Sequence, residues 1–127
     1  MRILAIDYGR NKVGVAVGDS VTKLVQPIKT IPKKPSNLQK IINDQNIKKI
    51  IIGVPGGRMD DEIKEFGKKL TEGTKLPVEF FDETLTTLDA RIILGKIKRK
   101  RKYKKVMEDA FAAAIMLESY LRKENHV

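Results

Sequence analysis

The sequence has no cysteine, no tryptophan and a single histidine, His126. Without cysteine there are no disulfides, no thiolate nucleophile and no Cys-ligated zinc. One histidine at the penultimate position, where chains usually fray, leaves neither a Ser-His-Asp triad nor a histidine-rich metal site to expect. Aromatic residues make up only 6% of the chain, so base stacking is expected to contribute little to any nucleic-acid contact. Long apolar runs are also lacking. The longest, Ala110–Leu117, falls far short of the ~20 residues that cross a bilayer. Asp7 interrupts the opening apolar residues too early for a secretory signal. A cytoplasmic protein without a membrane partner is therefore expected. Its chemistry must rest on carboxylates, hydroxyls, amides, Lys and Arg.

Positive charge is abundant. The 127 residues include 26 Lys and Arg against 16 Asp and Glu, a formal net charge of +10. Most of the excess is local: Lys96, Lys98, Arg99, Lys100, Arg101, Lys102, Lys104 and Lys105 fall in one window without an acid. The remainder of the chain is nearly balanced, with 18 basic and 16 acidic residues. A cationic segment on a balanced domain suits a polyanion, because each neutralised phosphate releases condensed counterions. The plainer alternative is a solvated basic loop without a specific partner. An interfacial helix would need interleaved bulky apolar residues that this segment lacks.

Periodicity predicts one α/β domain over 1–127. Arg2–Tyr8 reads as a strand buried on both faces, followed by a turn at Gly9–Asn11 and a second strand over Lys12–Asp19. The short turn makes these a hairpin. Leu24–Ile31 is a third strand, with Pro27 placing it toward an edge. Ser36 is read as the cap of a helix to about Gln45, and Ile47–Val54 as a buried strand stopped by Pro55-Gly56-Gly57. A helix over Asp60–Thr71, ended by Gly73, leads to a strand over Pro77–Phe81. A helix opened by Thr86 or Thr87 carries Leu88, Ile92, Ile93 and Ile97, and the last helix spans about Lys105 to Lys123. The order predicts a five-stranded mixed sheet: an antiparallel meander of three strands, then two parallel strands, with helices on both faces. The C-terminal ends of the parallel strands are the expected place for a site.

Three acidic positions border that place. Asp7 ends the first strand after Ile3-Leu4-Ala5-Ile6, and Asp82 and Glu83 end the last after Phe80-Phe81. Asp109 opens the apolar stretch Ala110–Leu117, whose small residues allow close approach to the sheet. Each acid alone has an ordinary structural use, in a turn, a strand end or a helix start. Glu108 is a neighbour of Asp109 but points about 100° away around the helix. Together the acids would raise one another's pKa unless cations resolve the conflict. Hard divalent ions, Mg²⁺ or Mn²⁺, take oxygen ligands and in pairs ~4 Å apart promote phosphodiester hydrolysis.

Ile6-Asp7-Tyr8-Gly9, Val13-Gly14-Val15-Ala16-Val17 with Asp19, Ile52-Gly53-Val54-Pro55, Asp82-Glu83-Thr84-Leu85-Thr86-Thr87 and Asp109–Leu117 resemble, in order, the YqgF family of RNase H-like nucleases, also called RuvX-type Holliday junction resolvase-like proteins. The resemblance spans almost the whole chain. It implies an RNase H-like fold and a metal-dependent endonuclease that matures the 5′ end of pre-16S rRNA or, on an older assignment, cuts four-way DNA junctions. It also implies that Asp7, Glu83 and Asp109 bind the metal, with Asp82 a further candidate. Asp7 would bridge two ions, while Glu83 and Asp109 would each hold one. Lys96–Lys105, Arg10 and Lys12 would bind phosphates, and Gly9, Gly14 and Gly53 would allow close approach at the site. Three departures bear on substrate more than on fold: Thr84 where the family usually has Arg, an altered Gly56–Asp61 segment, and Glu108 at a usually apolar position.

Two other classes compete. A non-catalytic RNA-binding assembly factor needs only the basic segment. A nucleotide-binding relative of the actin and sugar-kinase folds would need a second copy to supply its second lobe. A nuclease of this size is expected as a monomer or weak homodimer, on structured RNA or four-way DNA.

Overall fold

The structure, a computed structural model, describes residues 1–83 and 105–124, and in the latter stretch the side chains of 109–123. Its elements are β1 (Arg2–Tyr8), β2 (Lys12–Asp19), β3 (Val25–Pro32), α1 (Pro35–Asp44), β4 (Lys49–Val54), α2 (Asp60–Thr74), β5 (Val78–Asp82) and α3 (Lys105–Glu124). The helix expected after Thr86 and the basic residues 96–104 lie outside the described residues. Lys105 is the first residue of α3.

The five strands form one sheet in the order β3-β2-β1-β4-β5. β1 and β2 pair antiparallel with Asp7 opposite Gly14, and the Gly9 N–H donates to the Lys12 carbonyl at 2.9 Å to close the hairpin. β4 runs parallel to both β1 and β5. The predicted mixed sheet is therefore observed, with the C-terminal ends of β1, β4 and β5 side by side. Pro27 does sit on an edge strand, opposite Ala16, and the β2–β3 register shifts between Val15 and Ala16.

Alternation along the strands divides the core in two. Leu4, Ile6, Val13, Val15, Ile50 and Ile52 pack against Leu38, Ile41 and Ile42 of α1 and Ile63 and Leu70 of α2. Ile3, Ala5, Ala16, Ile51 and Phe81 pack on the other face against Ala113, Met116, Leu117, Tyr120 and Leu121 of α3. Burying large aliphatic side chains in this way contributes roughly 1.5–3 kcal/mol each. The strands, apolar on both sides, are those of a sheet covered on both faces. The α3 face carries alanines where the other carries valine and isoleucine, and this lets α3 lie close to the strands.

Two helix boundaries differ from expectation. α1 begins at Pro35, with Lys34 rather than Ser36 in the cap position. Proline at the first helical position needs no N–H partner and has its φ preset, so it displaces the serine. α2 runs through Gly73 to Thr74 and ends at Lys75, which takes φ 62° while its N–H donates to the Thr71 carbonyl. The Thr71 and Thr74 hydroxyls donate back to the Gly67 and Leu70 carbonyls, which supports the extra turn.

Candidate functional site

Asp7 shares a sheet face with Ile3 and Ala5, because alternate residues of a strand point the same way. That is the face covered by α3. Asp7's pairing partner, Gly14, has no side chain, and the α3 backbone occupies the space: a Cβ there would lie 2.1 Å from the Asp109 carbonyl carbon and 2.6 Å from the Ala110 nitrogen. Asp109 is thus carried to the end of β1 by direct contact between helix backbone and strand. Its own side chain is half-buried.

Glu83 arrives from the far side of β4. At Gly53 a Cβ would fall 2.4 Å from Glu83 Oε1 and 2.6 Å from Met116 Sδ, so the bare glycine leaves the space that the glutamate uses. From there Glu83 shares a side-chain hydrogen bond with Asp7. Burial pushes its carboxyl above the ordinary carboxylate range; the bond to Asp7 opposes this, while the charges of Asp60 and Asp82 add to it. Two carboxyl groups so joined need a shared proton or a cation between them.

The sequence therefore places Asp7, Glu83 and Asp109 at one sheet end, and the structure brings Asp7 and Glu83 into contact there. Of the Asp82-Glu83 pair it is Glu83 that turns to Asp7, whereas Asp82 is exposed. Among the described residues no three His, Cys, Asp or Glu side chains stand in a ready metal-holding group. Gly9 is required by the hairpin, since a Cβ would sit 2.7 Å from the Lys12 carbonyl oxygen. Arg10 and Lys12 are exposed beside that turn. Asp19 is a turn residue: its carboxylate accepts from the Val21 and Thr22 N–H groups at 2.7 and 3.1 Å, which holds its pKa down.

Asp60 is the acid that sequence reasoning missed. It opens α2, and its Oδ1 accepts from the Gly56 and Gly57 N–H groups at 3.1 and 3.2 Å, folding the loop after β4. Its charge reaches Glu83. The available signal was an Asp five residues beyond Pro55, in a segment read as altered.

Strand order and helices on both faces define the class: an RNase H-like fold, with acids at the C-terminal ends of β1 and β5. Solved structures share this fold, among them the two that follow. Thermus thermophilus RuvC in complex with a Holliday junction substrate has a TM-score of 0.67 at 10% identity, covering 98% of this chain and 96% of its own. The fowlpox virus resolvase with Holliday junction DNA has a TM-score of 0.60 at 18% identity, with 98% and 99% covered. The profile of the RuvX family, described as Holliday junction resolvase, matches residues 1–123. A relative from Caldanaerobacter subterraneus subsp. tengcongensis, named "putative pre-16S rRNA nuclease", is 33% identical over 99% of both chains. One of the same name from Legionella pneumophila (strain Lens) is 34% identical over 94% of both. The chain belongs to the RuvX family. It is a nuclease, a hydrolase of phosphodiester bonds.

Proposed function

We propose that this protein is a divalent-metal-dependent endonuclease, one domain over 1–127, that trims the 5′ end of pre-16S rRNA in the cytoplasm. The observation that carries the chemistry is the Asp7–Glu83 pair, two carboxyl groups in contact where burial disfavours the charge of Glu83. The names of the relatives support the RNA substrate. Among the described residues no helix is long and apolar enough to cross a membrane.

The donor set fits a hard cation. All its atoms are carboxylate oxygens, and the contact between the Asp7 and Glu83 carboxyl groups marks where positive charge is favoured. Asp7, Glu83 and Asp109 would hold Mg²⁺ or Mn²⁺ in a two-metal site, with Asp82 on the exposed side. When bound, the ions supply an activated water and charge stabilisation of the leaving oxygen. The protein's own contribution would be placement: Gly14 admits the α3 backbone beside β1 and Gly53 admits Glu83, which supports a site drawing its acids from three elements. Lys96–Lys105, with Arg10 and Lys12 at the hairpin turn, would bind flanking phosphates. Such binding is strongly salt-dependent.

A second reading, cutting of four-way DNA junctions, is favoured by the description of the family. Symmetric cutting would require two copies, so a weak homodimer accompanies it. The deciding experiment offers a 5′-extended rRNA precursor and a four-way DNA junction side by side with Mg²⁺ or Mn²⁺, using Asp7→Asn as control. Cutting of the precursor, lost in the variant, is expected. Salt-sensitive binding without cleavage of either substrate would leave an RNA-binding assembly factor.

A further inference from the structure

Tyr8 follows Asp7 in β1, so its ring lies on the opposite side of the sheet from the acids, at the same strand end. There it lines a cavity of about 290 Å³ with Lys33, Glu62, Phe66 and Lys69. The size is close to the lower end of small-molecule sites, roughly 300–1,000 Å³. Tyr8 and Phe66 meet edge to face with ring centroids 5.0 Å apart. The Lys33 ammonium stands 4.0 Å from the Tyr8 ring centroid and donates to the Arg10 carbonyl at 2.5 Å. The Tyr8 hydroxyl donates to Glu62 Oε2 at 2.5 Å, and Lys33 Nζ lies 3.6 Å from the same oxygen. Both contacts use Oε2, which leaves Oε1 to accept from a ligand N–H.

We propose that this cavity is a nucleobase subsite, holding an unpaired base of the substrate strand against Tyr8 and Phe66 with its amino or imino N–H on Glu62. The charge pattern selects a base over a phosphate. The lining pairs Lys33 and Lys69 with Glu62 and Glu65, a balance that gives an anion no net attraction, while the flanking Lys34 and Lys68 are exposed and available to the backbone. A flat heterocycle gains from two aromatic side chains, and a carboxylate reads a Watson–Crick edge. The cavity also continues: a neighbouring hollow of about 210 Å³ shares Pro35, Lys69 and Leu70 and leads between α1 and α2 toward Thr74. A strand passing over the sheet end could present its phosphate to Asp7 and a nearby base to Tyr8. That the base belongs to the cut strand rests on the nuclease reading; the pocket's affinity for a base does not.

The test maps chemical shifts of the labelled protein with GMP, AMP, CMP and UMP, using ribose 5-phosphate as the base-free probe. At least one nucleotide should move the Tyr8 and Phe66 ring signals saturably at millimolar concentration, and ribose 5-phosphate should not. Phe66→Leu should weaken binding on the order of tenfold. Tyr8→Phe, which keeps a ring and loses the bond to Glu62, should bind with altered preference among the four bases. No shift at these rings, or equal shifts with ribose 5-phosphate, overturns the subsite even if Asp7-dependent cleavage is observed. Base-dependent shifts in a protein that cuts neither nucleic acid keep the subsite and overturn the nuclease reading.

Discussion

Gly14 and Asp109 touch backbone to backbone: a Cβ added to the glycine would stand 2.1 Å from the Asp109 carbonyl carbon and 2.2 Å from its oxygen. No rotamer change can relieve a clash between a Cβ and main chain. In Gly14→Ala, α3 must move outward from β2, taking Asp109 with it. Overpacking of this kind costs about 1–3 kcal/mol. Denaturant unfolding should show a loss of that order, together with nuclease activity reduced at temperatures where the variant is fully folded. Unchanged activity would mean that Asp109 need not lie close to β1.

The parallel experiment at Gly53 separates position from stability. Here the methyl group would meet Glu83 Oε1 and Met116 Sδ, both ends of flexible side chains. The fold can yield by turning those side chains, so Gly53→Ala should unfold near the wild-type midpoint. Glu83, however, would be driven off Asp7. Cleavage should fall by tenfold or more with a raised requirement for divalent ion. A variant that cuts normally would remove Glu83 from the metal-holding set.

The acids at the sheet end should act against stability when no cation is present. Burial keeps the Glu83 carboxyl above its ordinary pKa, so its contribution to stability is present below the unfolded value and lost as pH rises through the folded one. At neutral pH in chelator, Glu83→Gln should therefore melt higher than wild type, while its cleavage in Mg²⁺ falls by more than about 100-fold. Added Mg²⁺ should raise the melting temperature of wild type and leave that of Glu83→Gln nearly unchanged. A lower melting temperature for Glu83→Gln in chelator is the result this account does not survive.

Much of this was readable from residue order. Apolar runs such as Ile50-Ile51-Ile52 announce strands buried on both faces, and the short Gly9–Asn11 turn forces a hairpin. Asp7, Asp82 and Glu83 stand out because a carboxylate closing an apolar strand is unusual, and only the family resemblance favours Glu83 over Asp82. What remained hidden depended on three-dimensional neighbours. Nothing local distinguishes Asp82 from Glu83; the choice follows from the room beside Gly53, thirty residues earlier. Lys75 ends α2 because its backbone takes the left-handed region that Gly73 was expected to supply. Asp60 looked like an ordinary helix-start acid, and only the packing of the loop after β4 brings its charge toward Glu83.

Tyr8 gives a titration that reports on the opposite face of the sheet end. Burial, then the hydrogen bond and charge of Glu62, push its phenol up to about 12. The contribution to stability is present below the unfolded value of about 10 and lost as pH rises through about 12. An absorbance titration compared with that of Tyr8→Phe should show Tyr8 ionising well above ordinary phenols, and Glu62→Gln should bring it down. If Glu62→Gln leaves the titration unchanged, Tyr8 is not bonded to this carboxylate in solution.

At the other end of the sheet, Lys49, Glu79 and Tyr120 tie α3 to β4 and β5. Lys49 Nζ lies 2.6 Å from Glu79 Oε2, the Tyr120 hydroxyl donates to the same oxygen at 2.9 Å, and Lys49 also donates to that hydroxyl. Burial works against the lysine charge, and the bonds to Glu79 and Tyr120 outweigh it, so its pKa is raised. Glu79 is lowered, first by Lys49. A carboxylate lowered in the fold contributes stability above its unfolded pKa, about 4.3, and loses it as pH falls through the folded value. Between pH 7 and pH 3, wild type should therefore lose more stability than Glu79→Gln, which has no proton to gain there. The measurement is the unfolding midpoint of both proteins across that range in low salt, since Glu79 is partly exposed and salt weakens its pairing with Lys49. Parallel curves would show that Glu79 anchors α3 by shape rather than by charge. Converging curves would show that acid loosens the helix that carries Asp109, and nuclease activity at low pH would then fall with α3 as well as with the acids themselves.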